Sequence, residues 1–441
     1  MRRFALLVSL AFFGCGDDDP SSPADSSADR ADGRGSLDST ITPDGPLEDS
    51  SSSDATRDVG PDIMVNLPGS IDGVEPESLS NHPPVIDGNG NLYRVTESVQ
   101  DDGNNPRMMR STNGGETGSE ADEDNRPSAR DLEGCWQLQV GTRIYYSVAA
   151  SDRVWFAAFN TSDAPDRPDE WVIDERVVED LGNSGGVVQF SSLAHTSDGQ
   201  IWLFYSGTVR SGRQSIEYRR RSASGSWSEP SPIGDASGSW TGPRGVVGAN
   251  DTTYVFYTDY ENAELYVRTL DASGNLSNAT RLDVDGLSDE RIPHTNAIYY
   301  DAAGVETLVV GFTDTDGALW SVTLSDGAAA APVLVTSGPV LEDPSVAQND
   351  GTVAHFAVDG TTAHVVWVDD DSGDIFRSSR PNGGQWADAT RVWDSGSNIA
   401  WWVYANVYER GNRRRLGYTY DVGEHPDDEG NIEYNEVTLG I

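Results

Sequence analysis

Positive charge is what this chain has least of. Of its 441 residues, 30 are Lys or Arg against 72 Asp or Glu, a formal net charge of −42. A surface so acidic repels nucleic acid and anionic membrane faces, which excludes both as general partners. A cationic ligand, divalent cations or solubility outside the cell all fit, and solubility is the plainest of the three. Cysteine is almost missing. Cys15 and Cys135 stand alone and are not expected to pair, Cys135 reading as a small apolar core residue. No His/Cys cluster has zinc spacing and no Gly-rich loop could cradle a phosphate, so neither chemistry is indicated. Long apolar runs are absent too: Phe4 to Phe13 is too short to span a bilayer.

That short run has a meaning of its own. Met1-Arg2-Arg3 precedes it as a positive n-region, Gly14-Cys15 ends it, and Gly16-Asp17-Asp18-Asp19-Pro20 follows at once. The arrangement resembles a bacterial lipoprotein signal, with Phe12 and Phe13 departing from the usual Leu and small residue. The resemblance implies cleavage before Cys15, whose thiol would carry a diacylglyceryl anchor, and hence a lipid-anchored protein of the cell envelope or surface. On this reading 1–14 is the signal peptide. Residues 15–60, rich in Asp, Ser, Pro, Ala and Gly with hardly an aromatic, cannot bury enough apolar surface to offset chain entropy and are expected to form a disordered acidic linker.

From residue 61 onward the pattern is β. Between Phe190 and Gly234 short alternating runs (SSLAHTSDG, QIWLFYSG, SIEYRRRS, SWSEPSPIG) are separated by Gly, Ser and Asp turn residues. Four antiparallel strands at this spacing make one blade of a β-propeller. From about Asn81 the chain divides into repeats of roughly 50 residues. Turn and second-strand landmarks fall at Asn89-Gly90, Asp152, Asp198-Gly199, Asn250-Asp251, Asp301, Asp359-Gly360 and Glu409. The expectation is an all-β, seven-bladed propeller of four-stranded blades over 61–441. The last repeat ends in IEYNEVTL, which aligns with third strands, so a strand at Ile63–Leu67 is expected to close the ring and cover the open edge.

Two hairpins resemble the Asp-box (BNR) repeats of sialidase-like propellers, whose motif is S-x-D-x-G-x-T-W. Ser111 to Gly118 keeps the Ser, the Gly turn and Thr117, with Asn113 for the Asp. Ser379 to Trp386 keeps the Ser, Gly383 and the Trp, with Pro381 for the Asp. These boxes are structural and imply fold, not activity. Arg291-Ile292-Pro293 echoes the Arg-Ile-Pro motif of true sialidases, but Glu290 precedes it and it falls in the fifth repeat, so sialidase activity is not expected.

Chemistry in a propeller gathers where the inner strands start. Counting back from each inner-strand turn gives the column His82, Tyr145, Ser191, Pro243, His294, Thr352, Trp402, with Arg143, Arg244 and Asn296 close by. Removing the proton α to a uronate carboxylate needs a base, an acid for the leaving oxygen, and a cation or amide on the carboxylate. His294 or His82, Tyr145, and Arg244 with Asn296 and Arg143 are the candidates, and Trp402 could stack on a sugar. The set is similar to that of propeller polysaccharide lyases. Three readings stay open. One is a surface-anchored, monomeric lyase or hydrolase acting on an acidic polysaccharide. The second is a non-catalytic propeller that binds glycan or protein. The third is a structural envelope lipoprotein with no small ligand. No cofactor is expected, with one candidate exception: Asp369, Asp371 and Asp374 are spaced to offer oxygens to Ca²⁺, although a solvated hairpin explains them as well. Arg219–Arg221 and Arg413–Arg415 lie on strands, where alternation splits each triplet between two faces, so neither forms a binding patch.

Overall fold

The computed structural model describes residues 83–439 except 97–105, 116–117, 123–124, 128–132, 151–152, 179–190, 211–212, 237–242, 260–263, 283–296, 303–304, 315–316, 326, 341–353, 397–398 and 424–430. They form the seven antiparallel sheets of a seven-bladed β-propeller. The signal segment, the linker and the closing strand expected at Ile63–Leu67 lie outside the described residues.

The inner strands, in blade order, are Val85–Ile86, Glu133–Val140, Ser191–His195, Arg244–Val247, Ala297–Ala302, Ala354–Asp359 and Ile399–Arg410. Each hairpins into a second strand: Leu92–Thr96, Arg143–Ala150, Ile201–Arg210, Thr253–Asp259, Val305–Thr313, Thr362–Val368 and Arg413–Gly423. Third strands follow at Arg107–Ser111, Arg153–Asn160, Arg213–Arg221, Glu264–Leu270, Leu319–Ser325, Ile375–Pro381 and Asn431–Thr438. Outer strands are Ser119–Ala121, Glu170–Val178, Ser231–Ala236, Thr280–Arg281 and Thr390–Trp393. In blade 5 both Ala328–Ala329 and Val333–Thr336 pair with the third strand. Blade 7 has three strands among the described residues.

The aromatic second strands are explained by where they lie. Each is sandwiched between two neighbouring blades, so both faces are buried and the run is nearly all apolar. In Ile201–Arg210, Ile201, Leu203 and Tyr205 pack towards blade 2, whereas Trp202 and Phe204 pack towards blade 4. Thr362–Val368 divides the same way, Ala363, Val365 and Trp367 to one side and Val366 and Val368 to the other. Burying each such side chain is worth about 1.5–3 kcal/mol, and the repeat multiplies that round the ring.

Blade 2 corrects the sequence reading by one strand. The aromatic run after Asp152 is its third strand, and the extra strand is Glu133–Val140 at the centre. The third strand imitates a second strand because it too is buried on both faces, with Trp155, Ala157 and Phe159 on one side and Val154 and Phe156 on the other.

Polar side chains link blade to blade. Arg219 donates to the Val177 carbonyl at 2.5 Å and Arg221 to Glu175 at 2.9 Å, both on blade 2. Arg220 turns the other way, over the Trp202 ring at 5.6 Å. Trp227 and Trp386, each in a hairpin after a third strand, reach the preceding blade through Glu175 and Ser321 at 2.8 Å. Gln137 accepts from the Val95 amide at 2.9 Å, tying blade 2 to blade 1.

Candidate functional site

All inner strands start at the same end of the channel. Near that end Arg244, the first residue of Arg244–Val247, is 6% exposed. Its guanidinium lies over the indole of Trp136, on the inner strand of blade 2, at 4.8 Å. His355, the second residue of Ala354–Asp359, is 7% exposed, and its ring lies 5.5 Å from that of Tyr404 on the inner strand of blade 7. Burial, and then the charge of Arg244, push the His355 imidazole down to about 3, so it is neutral near pH 7. Neither ring nitrogen of His355 meets a side-chain partner among the described residues. Between blades 2 and 4 the inner strand of blade 3 begins with the buried Ser191 and Ser192, and the Ser191 hydroxyl is 3.0 Å from that of Ser147.

The cluster at this end thus consists of two contacts, the Arg244 cation on the Trp136 indole from blades 4 and 2 and the neutral His355 imidazole beside the Tyr404 phenol from blades 6 and 7. A cation beside a neutral base suits an anionic ligand whose proton is to be moved.

Of the residues singled out from sequence, Arg244 lies in this cluster. His82, His294 and Asn296 lie outside the described residues. Trp402 belongs to Ile399–Arg410, and its side chain is likewise outside what is described. Tyr145 and Arg143 are elsewhere, a consequence of the blade 2 offset. Both stand on the second strand of that blade, Tyr145 opposite Leu138 and Arg143 opposite Val140, close to the turn at Gly141. Tyr145 stacks on His195 of blade 3 at 6.4 Å and on Phe156 at 5.7 Å, and Arg143 donates to Asn160 at 3.0 Å. Tyr145 sits between blades 2 and 3 and Arg143 within blade 2, both away from the end where Arg244 begins its strand.

His355 and Tyr404 were missed. Counted back from the turns at Gly141, Ala249 and Gly360, Trp136, Arg244 and His355 stand at one distance, deeper than the column chosen. In blade 7 the inner strand runs on to Arg410, so Tyr404 stands seven residues before the turn at Gly411 instead of five. His364, also buried, is a different matter. Its Nδ1 is 2.8 Å from the Ser379 hydroxyl between strands of blade 6, and burial lowers its pKa to about 4.

Two carboxylates of the hairpin at 369–374 accept hydrogen bonds from protein donors. Asp369 accepts from the Ser372 amide at 3.1 Å and hydroxyl at 2.7 Å. Asp374 accepts from the Ser395 amide at 2.8 Å and from Arg391 at 3.1 Å. Although burial opposes it, these contacts hold the Asp374 carboxyl below its usual range. Among the described residues no group of three or more His, Cys, Asp or Glu is placed to hold a metal ion.

No protein-family model matches the chain, and no curated protein sequence does. Solved structures do. An ulvan lyase from a polysaccharide lyase family matches with a TM-score of 0.51 at 13% identity, over 85% of this chain and 96% of that one. An α-L-arabinanase of Penicillium chrysogenum, complexed with arabinobiose, gives 0.48 at 12% identity over 85% and 97%. The protein AofleA of Arthrobotrys oligospora gives 0.45 at 12% identity over 70% and 88%. At 13% identity the likeness to the ulvan lyase is one of fold.

Proposed function

We propose that the chain is a surface-anchored, carbohydrate-active β-propeller that cleaves an acidic polysaccharide by β-elimination at the start of its inner strands. The observation that carries the reading is the convergence of Arg244, His355 and Tyr404 from three blades. In this mechanism Arg244 meets the uronate carboxylate and stabilises the charge that develops as the α-proton leaves. The neutral His355 imidazole takes that proton. The bond from the β-carbon to the glycosidic oxygen breaks as the carbon–carbon double bond forms, and the Tyr404 hydroxyl protonates the departing oxygen. The proton then passes from imidazolium to phenolate, restoring both residues. A carboxylate seated on Arg244 also screens one of the two causes that depress His355, so the base strengthens when the substrate is in place. His82, His294, Asn296 and Trp402 remain proposed contacts to the polymer, and Cys15 the proposed lipid attachment. That a propeller of this fold is a polysaccharide lyase supports the reading.

The test is to incubate the protein with a panel of polyuronates and follow the unsaturated product by its ultraviolet absorbance. Arg244→Met and His355→Gln should each lower the rate ~10²- to 10⁴-fold while the fold is retained. Saturated ends would make the protein a hydrolase. Binding without cleavage would leave a glycan-binding module.

A further inference from the structure

We propose that Asn382 is a site of covalent self-modification. The Gly383 backbone nitrogen displaces its side-chain amide as ammonia, and water then leaves aspartate or isoaspartate in its place. The inference is independent of the carbohydrate chemistry above.

The chain contains three Asn-Gly pairs, Asn89-Gly90, Asn113-Gly114 and Asn382-Gly383. In each the glycine has no side chain to shield its nitrogen from the preceding carboxamide, so local sequence makes the three nearly equivalent. The fold separates them. At Asn89 the nucleophile is engaged: the Gly90 amide donates to the Asp87 carbonyl at 3.0 Å and closes that turn. The Asn89 side chain is anchored as well, Nδ2 donating to the Ser162 hydroxyl of blade 2 at 3.1 Å. At Asn113 the electrophile is held, its Oδ1 accepting from the Ser111 hydroxyl at 2.9 Å. Gly114 also lies against blade 7, where an added Cβ would stand 2.6 Å from the Arg410 guanidinium.

Asn382-Gly383 has neither restraint, although its backbone is fixed. The Asn382 amide donates to the Thr361 carbonyl at 2.8 Å. The Gly384 amide donates to the Pro381 carbonyl at 2.8 Å, closing a β-turn with Asn382 and Gly383 at its centre. Gly383 has a φ of 72°, which favours glycine at that turn position. Its amide is not the closing donor, and it meets no acceptor among the described residues. The Asn382 side chain likewise has no partner among them. Gly383 is exposed, with nothing within 4 Å of where a Cβ would be. The carboxamide is therefore free to swing onto the nitrogen, and water reaches both.

The reaction balances with water alone. The Gly383 nitrogen loses its proton to water or hydroxide and attacks Asn382 Cγ. That carbon–nitrogen bond forms as the bond to Nδ2 breaks, and ammonia leaves with a proton. Water then opens the five-membered imide at one of its two carbonyls. Opening at Cγ restores the ordinary backbone with a carboxylate side chain. Opening at the backbone carbonyl routes the chain through the side chain, one carbon longer. Either product adds a negative charge to the hairpin whose Trp386 indole bonds Ser321 of blade 5.

The full chain is held at mildly alkaline pH, folded or in urea, then digested with trypsin, and the amide and acid forms of each peptide are weighed. Asn382 falls in the peptide from Ser378 to Arg391, since the Arg380-Pro381 bond resists trypsin. In the folded protein it should convert about tenfold faster than Asn89 and Asn113, which are slowed by the hydrogen bonds they would have to give up. Urea should bring the three rates together. S111A should speed Asn113 in the folded protein. N382S is the blank: any gain that survives in it comes from Gln385, the only other side-chain amide of that peptide. An Asn89 or Asn113 that converts as fast as Asn382 in the folded protein overturns the proposal. So does an order of rates that persists in urea, because the fold would then not be its cause. An Asn382 that keeps its amide while the unfolded chain loses it overturns the proposal as well.

Discussion

Asn406 donates from Nδ2 to the carbonyl of Pro84 at 3.1 Å, joining two residues 322 positions apart in sequence. Asn406 is on the inner strand of blade 7 and Pro84 immediately precedes that of blade 1, so this bond closes the ring at its narrowest circle. The outer rim of blade 7 is different. There Asn431–Thr438 pairs only with Arg413–Gly423 among the described residues, leaving one edge for another strand.

If Ile63–Leu67 supplies that strand, a protein beginning at Pro68 should melt at a lower temperature than the full chain, because an open blade edge is left behind. Asn406→Ala is expected to cost about 1 kcal/mol by itself, the net worth of one hydrogen bond, and to add to the truncation. An unchanged melting temperature after truncation would mean that the ring is closed by something else.

Blade 7 holds a second, more costly feature. The Glu436 carboxylate, 1% exposed, accepts from Arg410 at 2.6 Å and lies 3.3 Å from Arg415. It also takes the hydroxyls of Tyr408 at 2.9 Å and Tyr434 at 2.8 Å. Glu436→Gln should destabilise the protein by about 3 kcal/mol, since two partly buried cations lose their counter-charge. Urea unfolding measures it, and a loss under half that size would show the network to be dispensable.

Acid should unfold the protein earlier than its carboxylates alone require. Burial, with Arg244, lowers His355 to about 3, and burial lowers His364 to about 4, both from 6.5. Below pH 6.5 the unfolded chain takes up protons that the folded chain refuses, so stability falls as pH falls, and continues to fall until the folded imidazoles themselves titrate. Each group contributes a slope of up to about 1.4 kcal/mol per pH unit. Urea midpoints at pH 7.5 and pH 5 should therefore differ, and His364→Asn should flatten the difference. Equal midpoints would show that neither imidazole is buried in its neutral form.

The proposed lipid attachment at Cys15 makes a simpler prediction. Cys15→Ser should move the protein from the membrane fraction to the soluble one in a bacterial host, with the propeller unaffected. Continued partition with membranes in the variant would rule out lipidation at this residue.

Blade number was legible because it rests on local chemistry. A second strand must be apolar on both faces, and the turn before it needs Gly, Asn or Asp, so QIWLFYSG or TTAHVVWVD declares itself without any partner in view. The same rule misled in blade 2, where RVWFAAFN is buried on both faces yet is a third strand. Local burial names the environment of a strand and not its rank in the blade. Arg244 could be picked out because it stands next to Pro243, seven residues before the turn at Asn250.

The sequence by itself determined the architecture: all-β, seven repeats and strands with period-two alternation. Only the tertiary structure decided which side chains meet in the channel. Arg244 meets Trp136 and His355 meets Tyr404, four residues from four blades, and each contact depends on strand register to within one residue. A shift of one position turns a side chain to the opposite face, so a column counted to the wrong depth misses such a site. The contacts that do locate it join residues far apart in the chain, and they exist only once the ring has closed.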